Sequence, residues 1–308
     1  MNPIFSSVLP VFLLVALGTC LRRLDFVDRA FFRTSDWLVY FVSFPVMLFW
    51  KIGAPSSAAQ LDGRLILAVM AAVTTVYVLS LGFVRITRMP DFQVGSFSQC
   101  CYRFNTYIGM AVVVGICGEQ GVTTFGVIIA FAIPFINFLA VSTLIWFSAE
   151  NYSLGQKTQF LGRSLLSNPL LIACFLGLLY ARLGVGFAPF VNNSFALLSS
   201  LSLPLALLSI GNSLTFAGMR GHLALSLAAA AFKLALLPLV GALFLHALEV
   251  TGVPFMVAMT FFLLPTSSAI FILSAQLKSD IELASVGIMV STVLSLFSLS
   301  VGLWWLRA

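Results

Sequence analysis

The chain has 308 residues, of which 60% are hydrophobic and 8% charged. With a mean hydropathy of +1.08, this excludes a soluble globular domain and implies an integral membrane protein. Thirty Phe and twelve Pro spread over the whole length leave no polar block of domain size, so residues 1–308 read as one membrane domain. The net charge of +6 comes from basic residues in short gaps between apolar runs, which argues for membrane orientation and against nucleic acid as a partner.

In chain order, the first element is MNPIFSSVLPVFLLVALG. It has no basic residue before its apolar run and no small-residue cleavage site after it, so a spanning helix is expected and not a removed signal. Apolar segments follow at 35–50, 65–84, 93–117, 122–148, 164–181, 190–214, 222–248, 254–277 and 283–306, with the first at 3–21. This predicts an all-α polytopic membrane protein with ten transmembrane helices in a lipid bilayer. The second segment, between Asp36 and Lys51, is short and must use its flanks. Ten crossings put both termini on one side. Alternate loops hold Arg22, Arg23, Arg29, Arg33, Arg85, Arg88, Lys157, Arg163, Arg220 and Lys278, against Lys51, Arg64, Arg182 and Arg307 on the opposite side. The positive-inside rule then places both termini on the non-cytoplasmic side.

A fixed shift of 159 aligns VALGTCLRRL at 15–24 with CFLGLLYARL at 174–183 and carries Gly18 onto Gly177, Arg23 onto Arg182 and Pro45 onto Pro204. Gly82 meets Gly241 at the same shift, and Phe92, Val94 and Glu119 meet Phe255, Val257 and Glu282 at 163. The first repeat covers 1–148 and the second 164–306, with a cytoplasmic linker at 149–163. Each half has five crossings, an odd number, so the second copy enters from the opposite side, as a 5+5 inverted repeat. Inverted repeats characterise secondary transporters, which bind substrate near the midplane between interrupted helices. The fourth and ninth spans are counterparts, each irregular at its middle, and the shift pairs Tyr102 with Pro265 and Arg103 with Thr266.

Two cations lie inside spans. Arg103 is about 18 and 24 Å along its helix from the nearest acids, Asp91 and Glu119. It either serves carbonyls freed at helix breaks or meets an anionic substrate, whose carboxylate a planar guanidinium grips with two parallel hydrogen bonds. Lys233 either donates to the open carbonyl end of a broken helix, standing in for a bound cation, or touches substrate. Pro45, Pro134, Pro204 and Pro238 read as kinks in packed helices, and His246 as interfacial. The five cysteines, at 20, 100, 101, 117 and 174, show no CxxC and no neighbouring His. Neither a metal site nor a disulfide frame is expected, and the Phe-rich character implies no cofactor. With two His, no HExxH, no Gly-rich phosphate loop and no acid in the middle of a span, an enzyme is not expected.

The stretches VLPVFLLVALGTCLRR, the Pro45 segment, RFNTYIGMAVVVGICG, KLALLP at 233–238 and LPTSSAIFILSAQLKSDIELAS resemble the auxin efflux carrier family of membrane transporters, in its bacterial branch. The resemblance covers nearly the whole chain through order and spacing. It implies a fold similar to that of the sodium-coupled bile acid transporters, with spans one, two, six and seven as a scaffold and the others as a moving transport domain. In that fold helices four and nine break and cross at the substrate. Carried over, Arg103, Asn105, Thr106 and Gly109 form one side of the site and Pro265, Thr266, Ser267 and Ser268 the other. Many relatives have a Pro just after the fourth-span break. Here Gly109, Met110 and Ala111 stand there, so the break is expected to rely on Gly109. The implied function is a secondary active or potential-driven carrier of a small organic anion, a mono- or dicarboxylate, with elevator-type alternating access, in the bacterial inner membrane. An anion channel and a cation or proton antiporter of related fold are the alternatives. The particular anion, import against export, ion coupling and a homodimer are left open by the residues.

Overall fold

A computed structural model describes residues 3–54, 62–148, 155, 159, 162, 168–214 and 219–307. The predicted linker 149–163, with Lys157 and Arg163, lies almost wholly outside the described residues. Among the described residues all regular structure is helical. We number the helices α1 (Pro3–Arg23), α2 (Arg29–Leu38), α3 (Phe44–Gly53), α4 (Gly63–Thr87), α5 (Asp91–Tyr102), α6 (Thr106–Trp146), α7 (Pro169–Ala181), α8 (Pro189–Ser200), α9 (Ser202–Ser213), α10 (Met219–Ala231), α11 (Leu237–Ala247), α12 (Gly252–Leu263), α13 (Ala269–Gln276) and α14 (Ile281–Arg307). Six helical stretches among the described residues are long and apolar enough to cross a membrane: Ala30–Gly53, Gly63–Thr87, Asp91–Trp146, Pro189–Ser213, Met219–Ala247 and Ile281–Trp305. Pro169–Ala181 and Gly252–Leu263 are apolar and shorter.

The departures from straight helices follow from backbone chemistry. Proline has no N–H and its ring crowds the carbonyl four residues back. At Pro45 and Pro238 a five-residue π turn absorbs both problems. Val39–Ser43 and Phe232–Leu236 are widened, and the residue before each proline bonds five residues back, Phe44 N–H to the Val39 carbonyl and Leu237 N–H to that of Phe232. Pro204 falls in the first turn of α9, where a missing N–H costs little. Within α6, Gly118 has φ 57° and ψ −149°, a conformation open only to glycine. The fourth apolar run ends there and the fifth begins. The short second segment is lengthened by its N-terminal flank, since helix starts at Arg29 and takes in Asp36, which was expected to bound it.

The chain separates into two compact units, each drawn from both halves of the sequence. The first comprises Met1–Asp62, Tyr107–Phe131 and Leu166–Leu214. Its α1 packs on α9, and its α3 on α7 and α8. Backbones touch directly at α1 and α9. A Cβ on Gly18 would lie 2.0 Å from the Leu208 carbonyl oxygen, and one on Gly211 would lie 1.9 Å from that of Val15, the close approach that small residues allow between membrane helices. Thr19 Oγ1 donates to the Gly211 carbonyl at 2.9 Å, and Arg22 closes the C-terminal end of α9 through the carbonyls of Asn212 and Leu214. The segments predicted as spans one, two and seven, and that predicted as span six from Leu166 on, fall in this unit. Tyr107–Phe131, which the resemblance assigns to the moving part, clusters here as well.

The second unit comprises Gly63–Thr106, Ala132–Leu165 and Thr215–Ala308. The helix α14 packs against α5, α10, α12 and α13, while α4 packs against α5 and α11. One end is tied by Asp280. Its N–H donates to the Phe92 carbonyl at 2.9 Å, and its carboxylate accepts from Leu283 N–H at 2.9 Å and Gln93 Nε2 at 3.0 Å. His222 lies 3.8 Å from Asp280 and 3.5 Å from Glu282.

Candidate functional site

Two helices of the second unit stop in mid-run. α5 ends at Tyr102, Arg103 is extended at φ −66° and ψ 159°, and helix resumes at Thr106. α12 ends at Leu263, Leu264 is extended, and helix resumes at Ala269. Pro265 explains the second interruption, because the residue before a proline is pushed out of helical geometry. A backbone bond, Asn105 N–H to the Pro265 carbonyl at 2.9 Å, joins the two breaks.

The sequence-predicted residues fall around this bond as follows. Arg103 and Asn105 are buried, Thr106 is half-buried at the first turn of the resumed helix, and Pro265 and Thr266 are buried. Thr266 N–H donates to Ser291 Oγ at 3.2 Å. Its own Oγ1 is buried without a hydrogen-bond partner. Ser267 Oγ accepts from Ala269 N–H at 3.2 Å and so caps α13, while Ser268 is half-buried and makes no cap bond. Gly109 is a correction. It is helical, lies beyond the break and clusters with the first unit. The interruption occurs at 103–105 without it, where an extended Arg103 and the bond from Asn105 replace helical hydrogen bonds.

The two cations have distinct partners. Arg103 is 7% exposed; Nη1 donates to Gln99 Oε1 at 3.3 Å and Nη2 to Asn137 Oδ1 at 2.9 Å. Lys233 is fully buried, and its Nζ donates to the Phe262 carbonyl at 2.9 Å and reaches that of Phe261 at 3.5 Å. A helix end leaves its last four carbonyls without intrahelical donors. At α12, Lys233 takes two of these, and Ser298 Oγ takes the Leu263 carbonyl at 3.2 Å. The π turn at Phe232–Leu236 carries Lys233, so the irregularity imposed next to Pro238 is also the element that presents the ammonium.

Sequence reasoning missed Gln99, Asn137, Ser291 and Ser298. Gln99 stands four residues before Arg103, one helical turn, and Asn137 is an amide in the apolar run FAIPFINFLAV. Both signals were available. The two serines carry none, since hydroxyls are common in membrane helices.

Interrupted helices meeting at a polar centre, in a polytopic apolar chain, define a membrane transporter. A family model described as membrane transport protein matches residues 3–303, and the chain belongs to that family, the auxin efflux carrier family. The chain is also similar to an uncharacterized transporter of Methanothermobacter thermautotrophicus, with 23% identity over 304 residues, or 96% of this chain and 95% of that protein. It is thus a transporter seated in a lipid bilayer and not an enzyme.

Proposed function

We propose that the protein is a secondary carrier of a small organic anion, a mono- or dicarboxylate, bound at the meeting of the two breaks by Arg103. The observation that carries this reading is a buried arginine in the break of α5, two residues before Asn105, whose N–H meets the Pro265 carbonyl. A charge so placed is expensive unless it serves function, and a planar fork suits a carboxylate. Asn105, Thr106, Thr266, Ser267 and Ser268 would supply further hydrogen bonds, Thr266 through its unpartnered hydroxyl. Lys233 closes the C-terminal end of α12, where a coupling cation would otherwise sit.

The carrier would have ten spans arranged as an inverted repeat and would work by an elevator-like movement of a transport domain against a scaffold of spans one, two, six and seven. Two symmetric features support the repeat. Gly18 meets the α9 turn containing Gly211, and their counterparts at a shift of 159, Gly177 and Ile52, meet each other as well, with a Gly177 Cβ 3.1 Å from Ile52. At the same shift Asp25 and Gly184, with φ 54° and 65°, follow the ends of α1 and α7 in the left-handed region. The balance of basic residues places both termini outside the cytoplasm of a bacterial inner membrane. A cysteine at the exposed Thr87 in a cysteine-free background should then react with a membrane-impermeant thiol reagent only from the cytoplasmic side. Labelling in intact cells would reverse the orientation.

The site is tested by substrate affinity and melting temperature together. Arg103→Lys keeps charge but loses the fork, and binding should weaken by about 1–3 kcal/mol. Arg103→Ala should abolish binding while the protein still folds. An Arg103→Ala protein that folds and binds organic anions as before ends the anion reading, and single-channel currents in place of saturable flux would end the carrier reading.

A further inference from the structure

Asp280 is a buried carboxylate at one end of the second unit, 7% exposed. Its oxygens accept from Leu283 N–H and Gln93 Nε2. Both donors are neutral, and neither supplies the positive charge that a buried acid needs. Among the described residues the cationic partner within ion-pair distance is His222, whose Nδ1 lies 3.8 Å from Asp280 Oδ2. The other ring nitrogen, Nε2, lies 3.5 Å from Glu282 Oε2. The imidazole therefore stands between two acids, and its Nδ1 is buried without a hydrogen-bond partner. A neutral imidazole has one donor and one acceptor, so whichever nitrogen lacks the proton turns a lone pair toward a carboxylate. Only the imidazolium offers a donor to each.

The elements packed on α10 are α14, α5 and the π turn at Phe232–Leu236. Their other titratable and charged groups are Asp91 at the start of α5, Cys100, Cys101, Tyr102 and Arg103 at its end, Lys233 in the π turn and Arg307 at the far end of α14. Arg220 stands on α10 itself and Lys278 just before Asp280, both exposed. Among the described residues, the ion pairs of Asp280 and Glu282 run to His222.

What Asp280 holds gives the pairing its consequence. Asp280 N–H and Ser279 Oγ both donate to the Phe92 carbonyl, at 2.9 and 2.7 Å, and Ser96 Oγ donates to Ser274 Oγ at 2.8 Å. These bonds fasten the start of α5 to the end of α13 and the start of α14. They lie about 16 Å along α5 from its break. We infer that this end of the second unit carries a proton-binding site: His222 takes up a proton as the counter-charge of Asp280, and the charged ring latches α10 to the junction that holds the outer ends of both interrupted helices. Histidine ordinarily changes charge between about pH 5 and 8, so the latch is closed at the acid end of that range and open at the alkaline end. It is set from the side that this end faces, the cytoplasm in the proposed orientation, and does not depend on which solute the protein carries.

The test uses the full-length purified protein at about pH 6 and about pH 8. Melting temperature is read together with hydrogen–deuterium exchange of peptides covering 91–96 and 279–284. His222→Gln keeps a polar side chain and cannot take the charge. On the acid side it should melt several degrees below wild type and exchange these amides several-fold faster, and on the alkaline side the two proteins should coincide. In a double-mutant comparison, Asp280→Asn should remove the acid-side deficit, since the ring then has no buried acid to meet. Glu282→Gln, at a side chain 72% exposed, should shrink the deficit without removing it, and it carries the comparison if Asp280→Asn fails to fold. A deficit of equal size at both pH values means that the ring only packs, and overturns the inference. So does a His222→Gln protein that matches wild type on the acid side, or one that fails to fold on the alkaline side, where the wild-type latch is open. A deficit that persists at full size in Asp280→Asn, or in Glu282→Gln where Asp280→Asn does not fold, also overturns it.

Discussion

The breaks after α5 and α12 each hold a buried cation, and the two cations differ in what they touch. Lys233 gives its protons to backbone, the carbonyls of Phe261 and Phe262 at the end of its neighbour helix. Arg103 gives its protons to side chains, the amides of Gln99 and Asn137. A lysine used this way completes a helix end that nothing else in the helix can complete. The amides fix the arginine through its two terminal nitrogens. In a membrane the first is a condition for folding, and the second serves recognition on the anion proposal. On the anion proposal, Lys233 completes the end of α12, while Arg103 and the hydroxyls of Thr266, Ser267 and Ser268 are left to the cargo.

The largest effect should come from Lys233→Met. It removes the donor from two buried carbonyls, each worth about 1–3 kcal/mol when left unsatisfied, and should lower the yield of monodisperse protein and its melting temperature sharply. If the ammonium also fills the place of a coupling cation, wild-type flux in proteoliposomes should be indifferent to replacing sodium with potassium at fixed membrane potential. A Lys233→Met protein that folds normally and loses only transport would reverse the roles assigned to the two cations. An absolute sodium requirement would remove the lysine from its cation role while leaving its structural one. The Arg103 substitutions come next in size and fall on affinity rather than on yield.

The contrast was half legible in the sequence. Two charges inside apolar runs stand out in any reading, as does the pairing of Tyr102 with Pro265 across the repeat, because hydropathy and spacing register both. The position of the first break did not. Gly109 looked like the flexible point, yet the chain leaves helical geometry six residues earlier, at Arg103. Local propensity favoured the glycine, and the bond from Asn105 to Pro265, made across 160 residues of sequence, decided the outcome. Lys233 reads in the sequence as either a helix-end donor or a substrate contact, and its bond to the Phe262 carbonyl fits the first; which end could not be seen, since Phe261 and Phe262 lie a span away. Asn137 stood out as an amide in an apolar run, but its partner did not: Arg103 is 34 positions off, and neither hydropathy nor period carries information over that distance. The π turns before Pro45 and Pro238 were legible only as proline kinks, because a widened turn is a tertiary accommodation of a local clash.

The smallest effect sharpens the account of the capped end of α12. Ser298 Oγ donates to the Leu263 carbonyl at 3.2 Å and stands 3.4 Å from the Ser295 carbonyl of its own helix. A hydroxyl has one proton, so these acceptors compete for it, and the Leu263 carbonyl receives it only part of the time. Ser298→Ala therefore removes less than a full bond at a half-buried place, and the loss should be on the order of 0.5–1 kcal/mol. Lys233 still covers Phe261 and Phe262 in this variant, so anion affinity should not change. Melting temperature together with affinity distinguishes the possibilities. A drop as large as that of Lys233→Met would mean that the helix end depends on the serine as much as on the lysine. An unchanged melting temperature with weakened anion binding would mean that the Leu263 end of α12 itself faces the cargo, and the division of labour between the two cations would have to be redrawn.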